Sequence, residues 1–204
     1  MRGKFVYVVF LALFITACFH QPPQPLVLDS FEDSCGSSCI DFGAGNGSKV
    51  SISLSTDKVY AGKKSLKIEY SGVPSGYMWV ARGYGLTNKK AGLWQRPPQK
   101  IAWRKYGAFS FYLYGQAKGV NIAFDIKDKD NEMFRCMFRD DQRGWKQVVC
   151  PFNKFFSRSD WQPQDARPNG TIDFPVVSFQ FEPRTPKSGV IYIDKVELLP
   201  REEK

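Results

Sequence analysis

The alternation of hydrophobic and polar positions indicates an all-β protein. Val50–Leu54 and Leu66–Tyr70 alternate strictly, with the period of two that a strand shows when its successive side chains face opposite sides of a sheet. Further strands are predicted at Phe109–Tyr114, Val120–Ile126, Met133–Phe138, Trp145–Val149, Val176–Phe181 and Val190–Leu198. Turn signals rich in Gly, Pro and Asp separate these runs, and no long helical period interrupts them. Many short strands without a long helix predict a β-sandwich or jelly roll.

Two long stretches without this alternation, Thr87–Lys105 and Asn153–Asp173, each contain tryptophan. Long loops in compact domains are often functional, so both are candidates for a binding site. Trp161 lies in the second loop near prolines and is predicted to contact a ligand. Trp145 begins an apolar strand and is predicted to lie in the core.

The N-terminus carries the pattern of an export signal. Arg2 and Lys4 precede the apolar run Phe5–Phe14, which is shorter than the roughly 20 residues that cross a bilayer as a helix. The tetrapeptide Ile15-Thr16-Ala17-Cys18 resembles the bacterial lipobox. This resemblance implies cleavage before Cys18 and a diacylglycerol on its sulfur. The alternative is an ordinary signal peptide in which the cysteine is coincidental.

The predicted organisation is therefore a lipoprotein signal at 1–17, a lipidated Cys18 with a proline-rich tether at 18–25, a β-sandwich at 26–199 and a charged tail at 200–204. Proline-rich segments favour extended conformations and would hold the domain away from the membrane. Phe19, rather than an aspartate, follows Cys18, which favours the outer membrane, on its periplasmic or surface face. An exported bacterial lipoprotein is expected.

The chain is basic, with a formal net charge of +9, but its Lys and Arg residues are scattered rather than clustered. Nucleic acid is not an expected partner for an exported protein with this distribution. A solvated basic surface that faces acidic lipid or polysaccharide is the simpler interpretation.

The chain has five cysteines, of which four remain once Cys18 is assigned to lipid: Cys35, Cys39, Cys136 and Cys150. An even number in an oxidising compartment predicts two disulfides, and three pairings are possible. A hairpin centred near Arg143 would place Cys136 opposite Cys150, within reach of a disulfide. Cys35 and Cys39 would then close a small loop. Metal ligation by these two cysteines is the alternative, but partner histidines are lacking.

Several kinds of catalysis are excluded on this chain. The one histidine, His20, lies in the tether, so neither a Ser-His-Asp nor a Cys-His arrangement can form. The GxSxG, Walker and GxGxxG motifs are absent as well. A hydrolase with paired carboxylates stays open, and its nearest cluster is Asp125, Asp128, Asp130 and Glu132.

Ordered motifs in both halves of the chain resemble one family. The C-terminal motifs are Pro151–Phe155, Arg158-Ser-Asp-Trp-Gln-Pro163, Asn169–Asp173, Val176–Phe181 and Ile191–Val196; the N-terminal ones are Leu28–Glu32, Gly62–Leu66 and Gly76–Trp79. Together they are similar to the family 11 carbohydrate-binding modules, which are jelly rolls of the galactose-binding-like class. The resemblance covers most of residues 26–199. A related fold in mitochondrial complex I assembly factors has a similar pattern, but the export signal argues against that role.

The resemblance implies that a glycan binds across one face of a sheet. The residues assigned to binding on this basis are Tyr77, Trp79, Asp128, Arg158, Asp160 and Trp161. An aromatic plane packs against the apolar C–H face of a sugar ring, while charged groups hydrogen-bond its hydroxyls. From the residues alone, Trp79 could equally belong to the core and Arg158 could be a surface charge.

A structural calcium ion is a further expectation. Asp194 lies on the same face of the closing strand as a set of apolar residues, so its carboxylate is expected to face the core. A carboxylate that faces a core needs a partner. The galactose-binding-like class implies calcium bound by Asp194, by Glu32 and by the turn from Lys63 to Ser65, and oxygen ligands suit that ion. The alternative pairs Asp194 with a lysine or with backbone amides.

The predicted function is non-enzymatic binding of a β-glucan or cell-surface polysaccharide by a membrane-anchored lipoprotein. A structural or assembly lipoprotein that binds a protein partner in the envelope through the same face is the alternative from a different class. A carboxylate-type glycan hydrolase is the third.

Overall fold

A computed structural model of the chain describes residues 24–184 and 186–201. The predicted signal at 1–17, Cys18, the tether up to residue 23 and the end of the charged tail lie outside the described residues. Within the described part of the chain, no helix is long and apolar enough to cross a membrane.

The described residues form twelve strands and five short 3-10 helices. The strands are β1 (Leu26–Asp29), β2 (Asp41–Gly45), β3 (Lys49–Ser55), β4 (Ser65–Ser71), β5 (Tyr77–Gly83), β6 (Tyr106–Gln116), β7 (Val120–Lys127), β8 (Met133–Asp140), β9 (Arg143–Pro151), β10 (Phe156–Ser157), β11 (Ser178–Arg184) and β12 (Ser188–Pro200). The 3-10 helices are Gly36–Cys39, Lys89–Ala91, Pro98–Lys100, Trp103–Lys105 and Phe152–Lys154.

The strands form two antiparallel sheets that pack face to face as a jelly-roll β-sandwich, which confirms the predicted fold. The back sheet has the order β3-β4-β12-β6-β9, and β1 pairs with the C-terminal half of β12. The front sheet has the order β10-β8-β7-β11-β5-β2. Strand β2 is therefore one edge of the front sheet, and the two-residue β10 is the other.

The core lies between the sheets and is rich in phenylalanine. Phe109 and Phe111 of β6 face Phe124 of β7 and Phe181 of β11, with ring centroids 4.9 to 5.5 Å apart. All four side chains are fully buried. Because side chains alternate along a strand, the neighbours of these residues on β7 and β11 face away from the core and form the outer surface of the front sheet.

The predicted hairpin that would join Cys136 to Cys150 is wrong. Strand β8 pairs with β7 in the front sheet, whereas β9 pairs with β6 in the back sheet. The connection after Asp140 crosses between the sheets, and the Asp140 carboxylate accepts the backbone amide of Ala117 at 3.0 Å. Cys136 and Cys150 therefore face each other across the core as buried free thiols, not as a cross-strand disulfide.

Cys35 and Cys39 form a disulfide in the structure, and the loop that they close is tied to the sandwich by Arg82. The Arg82 guanidinium is 1% exposed and pairs with Asp29 at 2.6 Å. It also donates to the carbonyl oxygen of Cys39 at 2.5 Å. A buried arginine needs such partners, because an unpaired buried charge is strongly destabilising.

The prediction that Trp145 lies in the core is wrong. Val148 and Cys150 are the buried residues of β9, so the opposite parity puts Trp145 and the exposed Val149 on the outer face of the back sheet. There the indole makes edge contacts with Tyr60 and Tyr114. Because Val148 and Val149 are adjacent, the sequence does not show which of the two alternating sets of side chains in this strand faces the core.

Candidate functional site

The outer face of the front sheet carries a row of polar side chains at its centre. In the register of the sheet, Arg135 on β8, Asp125 on β7 and Gln180 on β11 lie side by side. Asp125 is fully buried although it faces away from the core, because other polar side chains cover it. This row forms the floor of the candidate site.

Asp125 organises the floor through two arginines. The Nε and Nη2 atoms of Arg135 donate to its two carboxylate oxygens, each at 2.8 Å. Arg158 donates to Asp125 Oδ2 at 3.0 Å, and the amide of Gln180 donates to the same oxygen at 3.0 Å. Arg135 also pairs with Glu182 of β11. The floor is thus a connected set of charge-assisted hydrogen bonds, the stronger kind of hydrogen bond in proteins.

Asp160 extends this network toward solvent. It accepts hydrogen bonds from three arginines at 3.0 to 3.2 Å: Arg135, Arg158 and Arg184. Partial burial by itself raises the pKa of Asp160, but the hydrogen bonds and charges of the guanidinium groups outweigh this effect and hold the pKa well below its usual range. Asp160 is therefore ionised at neutral pH.

One wall of the site is a pair of parallel aromatic rings, Tyr77 and Trp79, at the edge of the front sheet. Their centroids are 6.1 Å apart with an interplanar angle of 15°, and Tyr77 is 47% exposed. The rings lie across the edge strand β2 at Gly45 and Gly43. A Cβ atom at Gly43 would be 2.4 Å from the Trp79 ring, and one at Gly45 would be 2.3 Å from the Tyr77 ring. Only glycine permits the rings to lie this close to the backbone.

Asp41 fixes the Trp79 ring in this position, and sequence reasoning missed it. Its Oδ1 accepts the indole N–H of Trp79 at 3.0 Å, and its Oδ2 accepts the backbone amide of Asn88 at 2.8 Å. The signal available in the sequence was the spacing of Asp41, Gly43 and Gly45, which places the three residues on one face of a strand.

The opposite wall is Trp161, which lies in the loop of residues 158–177 that joins β10 to β11. Its side chain is 55% exposed. The guanidinium carbon of Arg158 lies 5.5 Å from the ring centroid, which is cation–π geometry. Arg158 is thus both a floor residue, through Asp125, and the support of the Trp161 ring.

Floor and walls enclose a cleft of about 710 Å³. This volume lies within the range of clefts that bind small ligands. Five of the six residues predicted to bind ligand line the cleft: Tyr77, Trp79, Arg158, Asp160 and Trp161. The other predicted loop, Thr87–Lys105, places Trp94 and Trp103 in the core, 5% and 7% exposed, so its tryptophans serve packing.

The assignment of Asp128 to ligand binding is wrong. Asp128 is fully buried and does not line the cleft. Its carboxylate accepts the backbone amides of Asp130, Glu132 and Asp173 at 2.9 to 3.1 Å. Burial raises its pKa against the lowering effect of these hydrogen bonds. Asp128 shapes its turn and ties that turn to the 158–177 loop.

The residues predicted to hold calcium lie around one turn. Asp194 is fully buried, and its Oδ2 accepts the amides of Tyr60 and Ala61 at 2.9 and 3.0 Å. Glu32 Oε1 accepts the amides of Lys63 and Lys64 at 2.7 and 2.9 Å. The Ser65 hydroxyl donates to the carbonyl oxygen of Lys58. Both carboxylates therefore bind the backbone of the turn between β3 and β4.

Two observations fit a cation at this turn. Asp194 Oδ1 is buried without a hydrogen-bond partner among the described residues. Burial raises the pKa of Asp194, and the negative charge of Glu32 adds to the rise, which a bound cation would reverse. In residues 24–184 and 186–201 no three acidic, cysteine or histidine side chains converge, so carbonyls or water would have to complete the coordination.

A jelly roll with an aromatic-walled cleft across one sheet is an architecture of carbohydrate-binding domains. The carbohydrate-binding domain of family 11 matches residues 20–201, and the chain belongs to this family. This match confirms the resemblance noted in the sequence.

Relatives and solved structures agree with this assignment. Endoglucanase H of Acetivibrio thermocellus is 27% identical over an alignment of 183 residues. The match covers 85% of this chain and 18% of that protein, so the chain spans less than a fifth of its length. The family 11 module of the cellulosomal cellulase Lic26A-Cel5E of Clostridium thermocellum shares the fold with a TM-score of 0.67 and 23% identity, over 88% of this chain and 96% of that one.

A family 11 module from Clostridium thermocellum, solved in complex with a β-1,3-1,4-mixed-linked tetrasaccharide, also has a TM-score of 0.67. It is 24% identical, and the match covers 88% of this chain and 98% of that chain. The likeness shows that the two proteins share the jelly-roll fold.

Replacement of Gly43 tests the geometry of the aromatic edge. Gly43→Ala should push the Trp79 ring off β2 and break its bond to Asp41, because the new methyl group would overlap the ring. We expect a loss of roughly 1–3 kcal/mol in the free energy of unfolding, measured by urea denaturation, and a changed tryptophan emission spectrum. Gly107→Ala is the control, since its Cβ would make ordinary contacts. Equal behaviour of the two variants would contradict this account.

Proposed function

We propose that the chain binds a neutral β-glucan, of mixed β-1,3-1,4 or related linkage, in the cleft of the front sheet, without catalysing its cleavage. The observation that carries this proposal is the presence of exposed aromatic rings on both walls of the cleft, in a chain of family 11. Tyr77 and Trp161 present about half of their side-chain surface to solvent. Ring faces of this kind pack against the C–H faces of sugars.

The charges of the cleft favour a neutral ligand. The arginines of the floor are paired with carboxylates: Arg135 and Arg158 with Asp125, and Arg184 with Glu182 at 2.7 Å. Lys127, the other cation that lines the cleft, donates to the carbonyl oxygen of Gly85, and burial lowers its pKa. Paired charges offer hydrogen-bonding edges to hydroxyl groups but little net attraction for an anionic chain.

The state of the carboxylates supports a role in binding rather than hydrolysis. A glycosidase needs a general acid that keeps its proton near neutral pH, beside a second carboxylate. The pKa of Asp160 is held low by its arginines, and both oxygens of Asp125 are occupied. Glu132, from the cluster considered for a hydrolase, is fully buried and accepts the amides of Asn169 and Gly170.

We further propose that calcium binds at the turn between β3 and β4, with Asp194 and Glu32 as carboxylate ligands. The unpartnered Oδ1 of the buried Asp194 and the proximity of the exposed Glu32 carboxylate support this proposal. Calcium takes roughly six to eight oxygen ligands, so the backbone around Lys63 and Ser65 and water would supply the remainder. Its contribution would be to hold the turn onto β12.

Export and anchoring rest on the N-terminal sequence. We propose that Cys18 carries a lipid and that the domain faces the periplasm or the cell surface from the outer membrane. The basic head, the apolar run of Phe5–Phe14 and the small residues before Cys18 support this proposal.

The glycan proposal predicts a loss of affinity when the walls are truncated. Trp161→Ala and Tyr77→Ala should each weaken binding to mixed-linkage β-glucan by about fivefold to tenfold, since an aromatic contact contributes about 1 kcal/mol. Isothermal titration calorimetry measures the effect. Trp145→Ala, on the outer face of the back sheet, is the matched control and should bind normally. If the wild-type protein retained no glycan on a broad array, the proposal would fail, and the protein-partner alternative would gain support.

The calcium proposal predicts a calcium-dependent stability. Chelation should lower the melting temperature and added calcium should restore it, because a ligand at 100 times its Kd stabilises the native state by about 2.7 kcal/mol. Asp194→Asn should abolish the shift, whereas Asp141→Asn, in an exposed ion pair with Lys146, should retain it. An unchanged melting curve of metal-stripped protein across a wide calcium range would refute calcium binding.

The anchoring proposal predicts that Cys18→Ser abolishes lipidation. Metabolic labelling with a fatty-acid probe should mark the wild-type protein in the membrane fraction and leave the variant unlabelled. Equal labelling of both proteins would exclude Cys18 as the attachment site.

A further inference from the structure

We propose that Gln162 is the positioning residue that fixes the Trp161 wall of the cleft. Its side-chain amide makes the hydrogen bonds that a backbone residue of a neighbouring strand would otherwise make. The proposal rests on the proposed glycan function, because it assigns to Gln162 the orientation of a ring that contacts the sugar. Gln162 itself does not line the cleft, and its effect on binding is exerted through Trp161 and Arg158.

The amide of Gln162 binds both backbone groups of Met133, the first residue of β8. Its Oε1 accepts the amide N–H of Met133 at 2.8 Å, and its Nε2 donates to the Met133 carbonyl oxygen at 3.0 Å. These are the two hydrogen bonds that a residue of a neighbouring antiparallel strand would make. A carboxamide can make both because it holds a donor and an acceptor in one plane.

The Gln162 amide lies at the edge of the front sheet, just beyond the end of the short strand β10. Strand β10 pairs with β8 at only two positions, Phe156 with Arg135 and Ser157 with Phe134. One residue further on, the Arg158 amide donates to the Met133 carbonyl oxygen at 2.9 Å, and the chain then turns away. The Gln162 side chain completes the pairing of Met133 at this point.

Gln162 also closes a short loop around Trp161. Its Nε2 donates to the carbonyl oxygen of Arg158 at 2.9 Å, four residues earlier. The side chain of the residue after Trp161 is therefore hydrogen-bonded to the backbone before it. The Arg158 guanidinium lies 5.5 Å from the Trp161 ring centroid. The Gln162 amide therefore positions both the ring and the guanidinium group that packs against it.

The segment needs such a tie because its principal apolar side chain faces solvent. Trp161 is 55% exposed, and Ser159 and Asp160 beside it are exposed as well. Burial of apolar surface therefore contributes little to holding the ring in place. Glu132 anchors the farther part of the loop at Asn169 and Gly170, at 2.7 and 3.2 Å. The residues on either side of the ring are tied by Asp160, through its arginines, and by Gln162, through Met133.

Gln162→Glu is the sharpest test, because it keeps the size of the side chain and removes its donor. The carboxylate would face the carbonyl oxygens of Met133 and Arg158, which repel it. Gln147→Glu is the matched control: Gln147 lies on the back sheet and donates one hydrogen bond to Ser110 at 2.9 Å. Gln162→Met, which removes donor and acceptor without adding charge, replaces the glutamate variant if thermal unfolding shows that the latter does not fold.

The first readout is 19F NMR of protein labelled with 5-fluorotryptophan, in which Trp161→Phe identifies the Trp161 signal. Gln162→Glu should shift or broaden the Trp161 signal and leave the signals of the buried Trp94 and Trp103 unchanged. Gln147→Glu should leave all three unchanged. An unchanged Trp161 signal in folded Gln162→Glu and Gln162→Met would overturn the proposal, whether or not the protein binds glucan.

The second readout is a double-mutant cycle on affinity for mixed-linkage β-glucan. Gln162→Glu should weaken binding about fivefold in the wild-type background and have no further effect in Trp161→Ala, because it acts through that ring. Equal losses in both backgrounds would show that Gln162 does not act through Trp161. Absence of wild-type binding would defeat the proposed function alone, and the 19F result would still decide the role of Gln162.

Discussion

The pairing of Asp125 with Arg135 and Arg158 is the interaction on which the cleft depends. All three side chains are buried on the outer face of the front sheet, and each needs the others, since an unpaired buried charge costs several kcal/mol. Asp125 belongs to β7, Arg135 to β8 and Arg158 to the 158–177 loop, so one carboxylate joins two strands and the loop that carries Trp161. Through Glu182 the same network reaches β11. The charges of the floor are thereby paired with one another within the protein.

The two walls of the cleft are held by different physical means. Tyr77 and Trp79 lie on a flat strand edge, because glycines at 43 and 45 let the rings approach the backbone and Asp41 takes the indole N–H. Trp161 has no such strand surface beneath it and is held by hydrogen bonds from the 158–177 loop to the first residue of β8. The first wall is set by steric contact within the sheet, and the second by polar contacts of the loop that carries it.

The predictions that failed share one cause: a local sequence pattern does not show which distant segment of the chain packs against it. Cys136 and Cys150 flank a turn, but the turn crosses between sheets, so the thiols meet across the core. Asp128 lies in an acidic turn that looks solvated, yet the 158–177 loop folds over it and buries it. Trp145 begins an apolar run whose two valines left its parity open. In each case a segment distant in sequence determined the environment of the residue.

The sequence by itself determined most of the strands, though not β1, β2, β5 and β10, together with the family and most of the cleft residues. Alternation places Asp125 and Phe124 on opposite faces whatever the strand pairs with, and the ordered motifs around Tyr77, Trp79 and Trp161 mark the walls. Only the tertiary structure decided which strands are neighbours, that Gly43 lies beneath Trp79 and that Gln162 binds Met133. These contacts join residues that are 29 or more positions apart or in different strands. Their energies depend on distances of a few ångströms, which the folded sheets set and the order of residues does not reveal.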